Sequence, residues 1–265
     1  MPPSGTVDVV CPRCEGRGWL VEEDGGAGTA RPCDCSKQDR IPRLLEAARI
    51  PPRYRGCNFA NFTTSSPNAS VAGQLARAKA LAEQYRESFL QEDGRFRAEG
   101  LLFIGPPGVG KTHLAVAILK ELVTRYAVQG LFVDFTSLIH QIQSTFDPGS
   151  RESKHQVLDP VMDAELLVLD ELGAQKPTAW VNETLYLIMN RRYTRRLPTI
   201  FTTNYRLAEN SSEPVLDRDR RPYEPELLDR RISQTLVSRL YQMARRVVLE
   251  AEDARRQFKS AEHTH

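Results

Sequence analysis

The chain has 265 residues, 40% of them hydrophobic and 26% charged, enough for one large domain or for a core of about 200 residues with a small appendage. No apolar run approaches the roughly 20 residues that cross a bilayer, and the first 20 residues lack the apolar stretch of a secretion signal, so a cytoplasmic protein without membrane contact is expected. The net charge of +2 points neither toward nucleic acid nor away from it.

Four of the five cysteines lie within residues 11–35. Cys11-Pro12-Arg13-Cys14 is a C-x2-C knuckle, and Cys33-Asp34-Cys35 follows after a stretch long enough to fold back a short ribbon. Four thiolates can surround Zn²⁺ tetrahedrally, and so little apolar material lies nearby that a metal would supply much of the folding energy. The C-x-C half is a less usual spacing, and unliganded thiols or a redox pair are the alternative. Cys57 stands beside Phe59 and Phe62 and is expected to be a buried small side chain. Disulfides are not expected in the cytoplasm.

Residues 36–57 turn basic, and Leu44, Leu45, Ala48 and Ile50 form a short helical face that Pro51-Pro52 stops. Residues 63–70 form a turn or linker. Val71, Leu75, Ala78, Ala82, Tyr85 and Phe89, mostly four apart, mark the next helix. From residue 100, short apolar strands alternate with amphipathic helices. The strands are Leu101–Ile104, Leu131–Phe135, Leu166–Leu169, Thr199–Thr202 and Val247–Leu249. This alternation implies an α/β fold with a parallel sheet covered on both faces. Arg191-Arg192 and Arg195-Arg196 form a basic run on the helix after the third strand, a pattern expected of a solvated face.

Gly105-Pro106-Pro107-Gly108-Val109-Gly110-Lys111-Thr112 follows an apolar strand and opens a helix, the context a Walker A phosphate-binding loop requires. Its glycines let backbone N–H groups turn inward, and the helix N-terminus adds its positive end. Lys111 would reach the β- and γ-phosphates of ATP, and the Thr112 hydroxyl would ligate Mg²⁺. Leu166-Leu167-Val168-Leu169-Asp170-Glu171 delivers two carboxylates at a strand's C-terminal end, where open α/β sheets bind ligands. Asp170 would hold the Mg²⁺ shell, and Glu171 would orient the attacking water. An acid pair at a strand end is weak evidence alone; with the loop it points to an ATPase.

The Gly-Pro-Pro-Gly loop, the Asp-Glu pair and Thr202-Thr203-Asn204 resemble the AAA+ superfamily, and residues 136–163, with room for two helices, resemble its initiator and helicase-loader branch. That branch includes the DnaC/DnaI-type loaders and the IstB transposition ATPases. Cys57-Asn58-Phe59-Ala60-Asn61-Phe62 resembles the loaders' lead-in to the core, and the helix continues into His113-Leu114-Ala115 as theirs does. The resemblance implies a P-loop core with sheet order 5-1-4-3-2 over residues 58–265. Residues 1–57 would then be a small zinc-binding module with a basic helix, used to bind a partner. It further implies Asn204 as the polar sensor beside the γ-phosphate, and His113 among the nucleotide-binding residues. Arg239, in Ser238-Arg239-Leu240, would be an arginine finger acting on a neighbour in a homo-oligomer, with Arg230 and Arg231 as rivals. Arg256, preferred over Arg255, would be a second sensor. Phe146 and Trp180 occupy positions where loader rings hold single-stranded DNA, although core packing is an equal reading of each. The function this implies is ATP-dependent loading of a hexameric replicative helicase onto single-stranded DNA. An IstB-like transposition helper, or a zinc-binding adaptor with an ATP-controlled switch, are the alternatives.

Overall fold

The computed structural model describes residues 19–22, 29–32, 34–147, 149, 152–207, 215–216, 222–223 and 227–249. An antiparallel hairpin, β1 (Trp19–Glu22) and β2 (Thr29–Pro32), lies between the second and third cysteines and supplies the expected ribbon. Cys11, Cys14 and Cys33 lie outside the described residues, as does the side chain of Cys35.

Helix α1 (Asp34–Ala47) follows. Beyond it Ala48 and Ile50 are buried, with Leu44 and Leu45 packed against the same core, before Pro52–Tyr54 turns the chain in a single 3-10 turn. Helix α2 (Ala69–Glu87) starts where the Asn68 side chain accepts the N–H groups of Ser70 and Val71, satisfying donors that the first helical turn cannot pair internally. Its buried residues Leu75, Ala78, Ala82 and Tyr85 are four of the six predicted.

The sheet comprises β3 (Gly100–Ile104), β4 (Gly130–Asp134), β5 (Leu166–Asp170), β6 (Thr199–Thr203) and β9 (Ala244–Val248). It is parallel throughout, in the order β4-β5-β6-β3-β9. Counting these five strands alone, that is the expected 5-1-4-3-2. Between them run α3 (Lys111–Tyr126), α4 (Phe135–Ser144), α5 (Lys154–Asp163) and α6 (Ala179–Thr194). The short pair β7 (Val215–Leu216) and β8 (Pro222–Tyr223) follows, then α7 (Gln234–Met243). Strand side chains alternate between two cores, as a period of two dictates. Leu101 and Phe103 join α2 and α3 on one face, while Leu102 and Ile104 join α4–α7 on the other. Both faces are covered, so β3, β5 and β6 are buried at every position, and β3 and β5 are almost wholly apolar.

Three expectations are corrected. The second strand ends at Asp134, not Phe135: the Asp134 carboxylate accepts the Ser137 N–H and caps α4, so Phe135 becomes helical. The last strand begins at Ala244, because Ala244–Val248 pairs residue by residue with Gly100–Ile104. The basic run on α6 is not wholly solvated, since Arg192 is fully buried. Among the described residues no helix is long and apolar enough to cross a membrane.

Candidate functional site

The loop from β3 to α3 places Gly110 as the N-cap of α3 with φ of 97°, a left-handed conformation that residues with a Cβ rarely adopt. A Cβ there would lie 2.5 Å from the Phe62 ring, so the loop's tightness and the seating of the lead-in depend on the same glycine. Lys111 is buried, and its ammonium donates to the Gly105 and Pro106 carbonyls at 2.8 Å each. The N-terminus of α3 and this cation together make an anion-binding corner.

Opposite the loop, the Thr112 hydroxyl donates to Asp170 Oδ1 at 2.9 Å, and the Thr202 hydroxyl donates to the same oxygen at 2.6 Å. Asp170 is 1% exposed. Burial pushes its carboxyl above the usual range, the bonds from Thr202 and Thr112 pull it back, and the neighbouring carboxylates of Glu171 and Asp134 push it up again. A hydroxyl and a carboxylate oxygen this close are the hard donors that suit Mg²⁺.

Thr202 reaches Asp170 through strand register. Leu169 is paired with Phe201, so Thr202 stands across from Asp170, and its hydroxyl also accepts the Glu171 N–H at 3.0 Å. Glu171 itself has φ of 58°. Asn204 follows the end of β6, half-buried, where the Gly105 N–H donates to the Thr203 carbonyl and joins β6 to the loop. The structure thus gathers Lys111, Thr112, Asp170, Glu171 and Asn204 at the C-terminal ends of three adjacent strands.

The lead-in is fastened along α3. The His113 imidazole bonds the Asn58 carbonyl at 2.9 Å and meets the Phe62 ring edge-on at 5.4 Å. The Lys120 ammonium donates to the Arg55 and Cys57 carbonyls. Asn58 and Asn61 cap each other reciprocally, each side-chain oxygen accepting the other's N–H at 2.9 Å. Cys57 is half-buried rather than fully buried, and burial pushes its thiol up. Three residues before it, Tyr54 packs against Phe132 and faces the acidic corner. Burial first, then the Asp170 carboxylate, raise its phenol, against the pull of Arg53 and of a hydrogen bond with Thr112.

The candidate arginines are held by their own chain. Arg239 donates to Asn190 Oδ1 at 3.0 Å and lies over the Tyr193 ring at 4.4 Å. Arg231 donates to three carbonyls of residues 173–175, whereas Arg230 is exposed. Phe146, 58% exposed, and Trp180, in the first turn of α6, meet edge-to-face at 5.8 Å. Arg256 lies outside the described residues. Sequence reasoning missed Tyr54, the site role of Thr202 and the contacts of Arg231. The threonine was detectable only as part of the strand-end Thr-Thr-Asn run; nothing in the sequence signals the other two.

The family model described as "IstB-like ATP binding protein" matches residues 88–261. The replicative helicase loader DnaC of Escherichia coli strain K12 is 30% identical over 208 residues, covering 76% of this chain and 78% of DnaC. YqaM of Bacillus subtilis strain 168 is 28% identical over 221 residues, covering 82% of this chain but only 61% of YqaM. Among solved structures, that of the DnaC helicase loader superposes with a TM-score of 0.58 at 29% identity, covering 75% of this chain and 99% of that one.

Proposed function

Because the chain belongs to the IstB-like ATP-binding protein family, we propose that it is a Mg²⁺-dependent ATPase that places a hexameric replicative helicase on single-stranded DNA. The observation that carries the ATPase reading is the Thr112–Asp170 bond, 2.9 Å long, directly beside the Lys111 loop. It brings the loop and the acidic strand end into one site from positions 58 residues apart. The loader reading is supported by the likeness to DnaC over three quarters of the chain.

In this reading the loop N–H groups and Lys111 hold the phosphates, whose oxygens take the ammonium from the Gly105 and Pro106 carbonyls. Mg²⁺, when bound, supplies Lewis-acid stabilisation of charge on the phosphates. Thr112 and Asp170 are its protein donors, and their few ligands match a cation that keeps waters and substrate oxygens around it. Glu171 orients water for in-line attack, and Asn204 aligns it from β6. Arg239 approaches the γ-phosphate of a neighbouring subunit in an oligomer assembled on ATP. Phe146 and Trp180 offer aromatic surface for stacking unpaired bases, a contact indifferent to sequence. Cys11, Cys14, Cys33 and Cys35 hold structural Zn²⁺ in a partner-binding module over residues 1–57, which the metal content of the purified protein tests. The expected compartment is the cytoplasm.

The family description also favours a second reading, an IstB-like transposition helper with the same nucleotide chemistry. Nucleotide binding and turnover test the shared core. Lys111→Ala is expected to lose ATP binding, whereas Glu171→Gln binds ATP and does not hydrolyse it. Wild-type turnover by Glu171→Gln would sink the assignment. A stable complex with the host's replicative helicase on size-exclusion chromatography is the outcome that distinguishes loader from transposition helper.

A further inference from the structure

The turn that follows β5 is not stable on local grounds alone. Glu171 has φ of 58° and Gly173 has φ of 88°, and only the glycine adopts the left-handed region at no steric cost. The Ala174 N–H donates to the Glu171 carbonyl at 3.0 Å, closing the turn. Its remaining support comes from elsewhere in the chain.

On one side stands β6. The Leu172 N–H donates to the Thr202 carbonyl at 2.8 Å, and the Thr203 hydroxyl donates to the Leu172 carbonyl at 2.8 Å. On the other side stands Arg231. Its Nε donates to the Gly173 carbonyl at 2.8 Å, and its Nη2 to the carbonyls of Ala174 at 3.1 Å and Gln175 at 3.4 Å. The guanidinium also lies over the Tyr205 ring, 5.0 Å from its centre. The turn is pressed close to this brace: a Cβ on Gly173 would meet Leu228 Cδ1 at 2.8 Å and the Tyr205 ring at 3.0 Å. A planar fork with fixed donor directions can span three successive carbonyls, which a lysine ammonium cannot do in the same geometry.

Arg231 ends a 3-10 turn, Leu228–Arg230, three residues before α7 begins. The Ser233 N–H, at the N-cap of α7, donates to Asn182 Oδ1 at 3.0 Å. One short segment therefore both braces the turn carrying Glu171 and sets the start of the helix carrying Arg239.

We propose that Arg231 is a positioning residue acting within its own subunit: its fork to residues 173–175 holds Glu171 in the left-handed backbone that aims the carboxylate. The inference rests on the ATPase reading above, in which Glu171 orients water. It gives Arg231 a task in hydrolysis and none in nucleotide affinity.

The test uses the full-length protein and two independent readouts. In steady-state kinetics, Arg231→Ala should lower kcat by about ten- to a hundredfold, the scale of loss when a reacting group is misplaced by around an ångström. Affinity for a fluorescent ATP analogue should change less than about threefold, since the loop contacts are untouched. Arg231→Lys should not recover kcat, while millimolar guanidinium added to Arg231→Ala should recover part of it. Mixing Arg231→Ala with Lys111→Ala subunits should restore nothing, and restoration would overturn the proposal by making Arg231 act in trans. So would a wild-type kcat in Arg231→Ala, or equal losses of kcat and affinity. The second readout needs no turnover: amide hydrogen exchange across residues 171–175 should speed up in Arg231→Ala, and unchanged exchange there overturns the brace. A wild-type protein without ATPase activity would refute the ATPase reading, while the exchange measurement would still decide whether Arg231 braces the turn.

Discussion

His113 lies one residue beyond Thr112, yet its contacts run to the lead-in rather than to the loop. Burial pushes its imidazole below the ordinary value of 6.5, with the bond to the Asn58 carbonyl opposing. A histidine whose folded pKa is depressed is more readily protonated in the unfolded chain, so its contribution is fully present above 6.5 and is lost as pH falls through the folded value. Stability in urea should therefore decline as pH drops below about 6.5. His113→Gln, which keeps a donor for Asn58 but cannot gain a proton, should flatten that part of the profile. An identical pH slope in wild type and variant would refute the assignment. The residue scale also explains why Asp170 stays useful despite burial: two hydroxyls donate to one of its oxygens and offset part of the desolvation that drives its carboxyl up.

At the scale of elements, α6 carries the least expected feature. Val181, Thr184, Leu185, Ile188, Met189 and Arg192 form its buried stripe, at spacings of three and four that make one helical face. The guanidinium at the end of that stripe satisfies the C-terminus of α5. Its Nη1 donates to the Val161 and Ala164 carbonyls at 3.1 and 2.8 Å, Nη2 to the Pro198 carbonyl at 2.8 Å, and Nε to Thr199 Oγ1 at 2.8 Å. The last carbonyls of a helix have no partner within it, and a cation there also opposes the negative end of the helix dipole. Burial pulls the Arg192 pKa down to about 9, so it remains a cation at neutral pH. Arg192→Met should cost about 3 kcal/mol or more in equilibrium unfolding, because several buried acceptors lose their donor together. Arg192→Lys should recover only part of this. A loss below about 0.5 kcal/mol, the level of an ordinary surface substitution, would show that water replaces the arginine. The neighbouring exposed pairs of Asp163 with Arg191 and Arg195 contribute much less, since solvent screens them.

For the whole molecule the open question is assembly, and Arg239 carries it. Arg239 lies half-buried on α7 with its contacts on α6, to Asn190 and Tyr193, and the proposed inter-subunit role requires it to exchange them for a neighbour's phosphate. Arg239→Ala should keep ATP binding and lose roughly a thousandfold of its turnover, the contribution of arginine fingers in well-studied P-loop enzymes. Mixed with Lys111→Ala subunits it should regain some, because one type brings an intact nucleotide site and the other an intact finger. Mixed oligomers that form without any recovery would remove Arg239 from the trans role. The same mixing leaves Arg231→Ala at its lowered turnover if its brace works in cis, so one experimental design separates the two arginines.

Local chemistry made much of this protein legible from its sequence. The phosphate loop is contiguous, and its backbone geometry follows from glycine placement and the strand-to-helix switch within ten residues. Strands β3 and β5 announced themselves as short apolar runs because both faces of the sheet are covered there, whereas β9 carries two exposed arginines; the strand order came from the resemblance of the motifs, since apolar runs carry no information about neighbours. Helix and strand limits shifted where a single side chain, such as the Asp134 cap, settled a competition that propensity left even. Tertiary structure alone decided the partnerships: Thr202 with Asp170, Arg192 with the end of α5, Arg231 with the turn after Glu171. Each depends on strand register or on carbonyls brought together from distant segments. A side chain's hydrogen-bond partners are set by which backbone groups folding leaves unpaired nearby, and that is a property of packing in three dimensions.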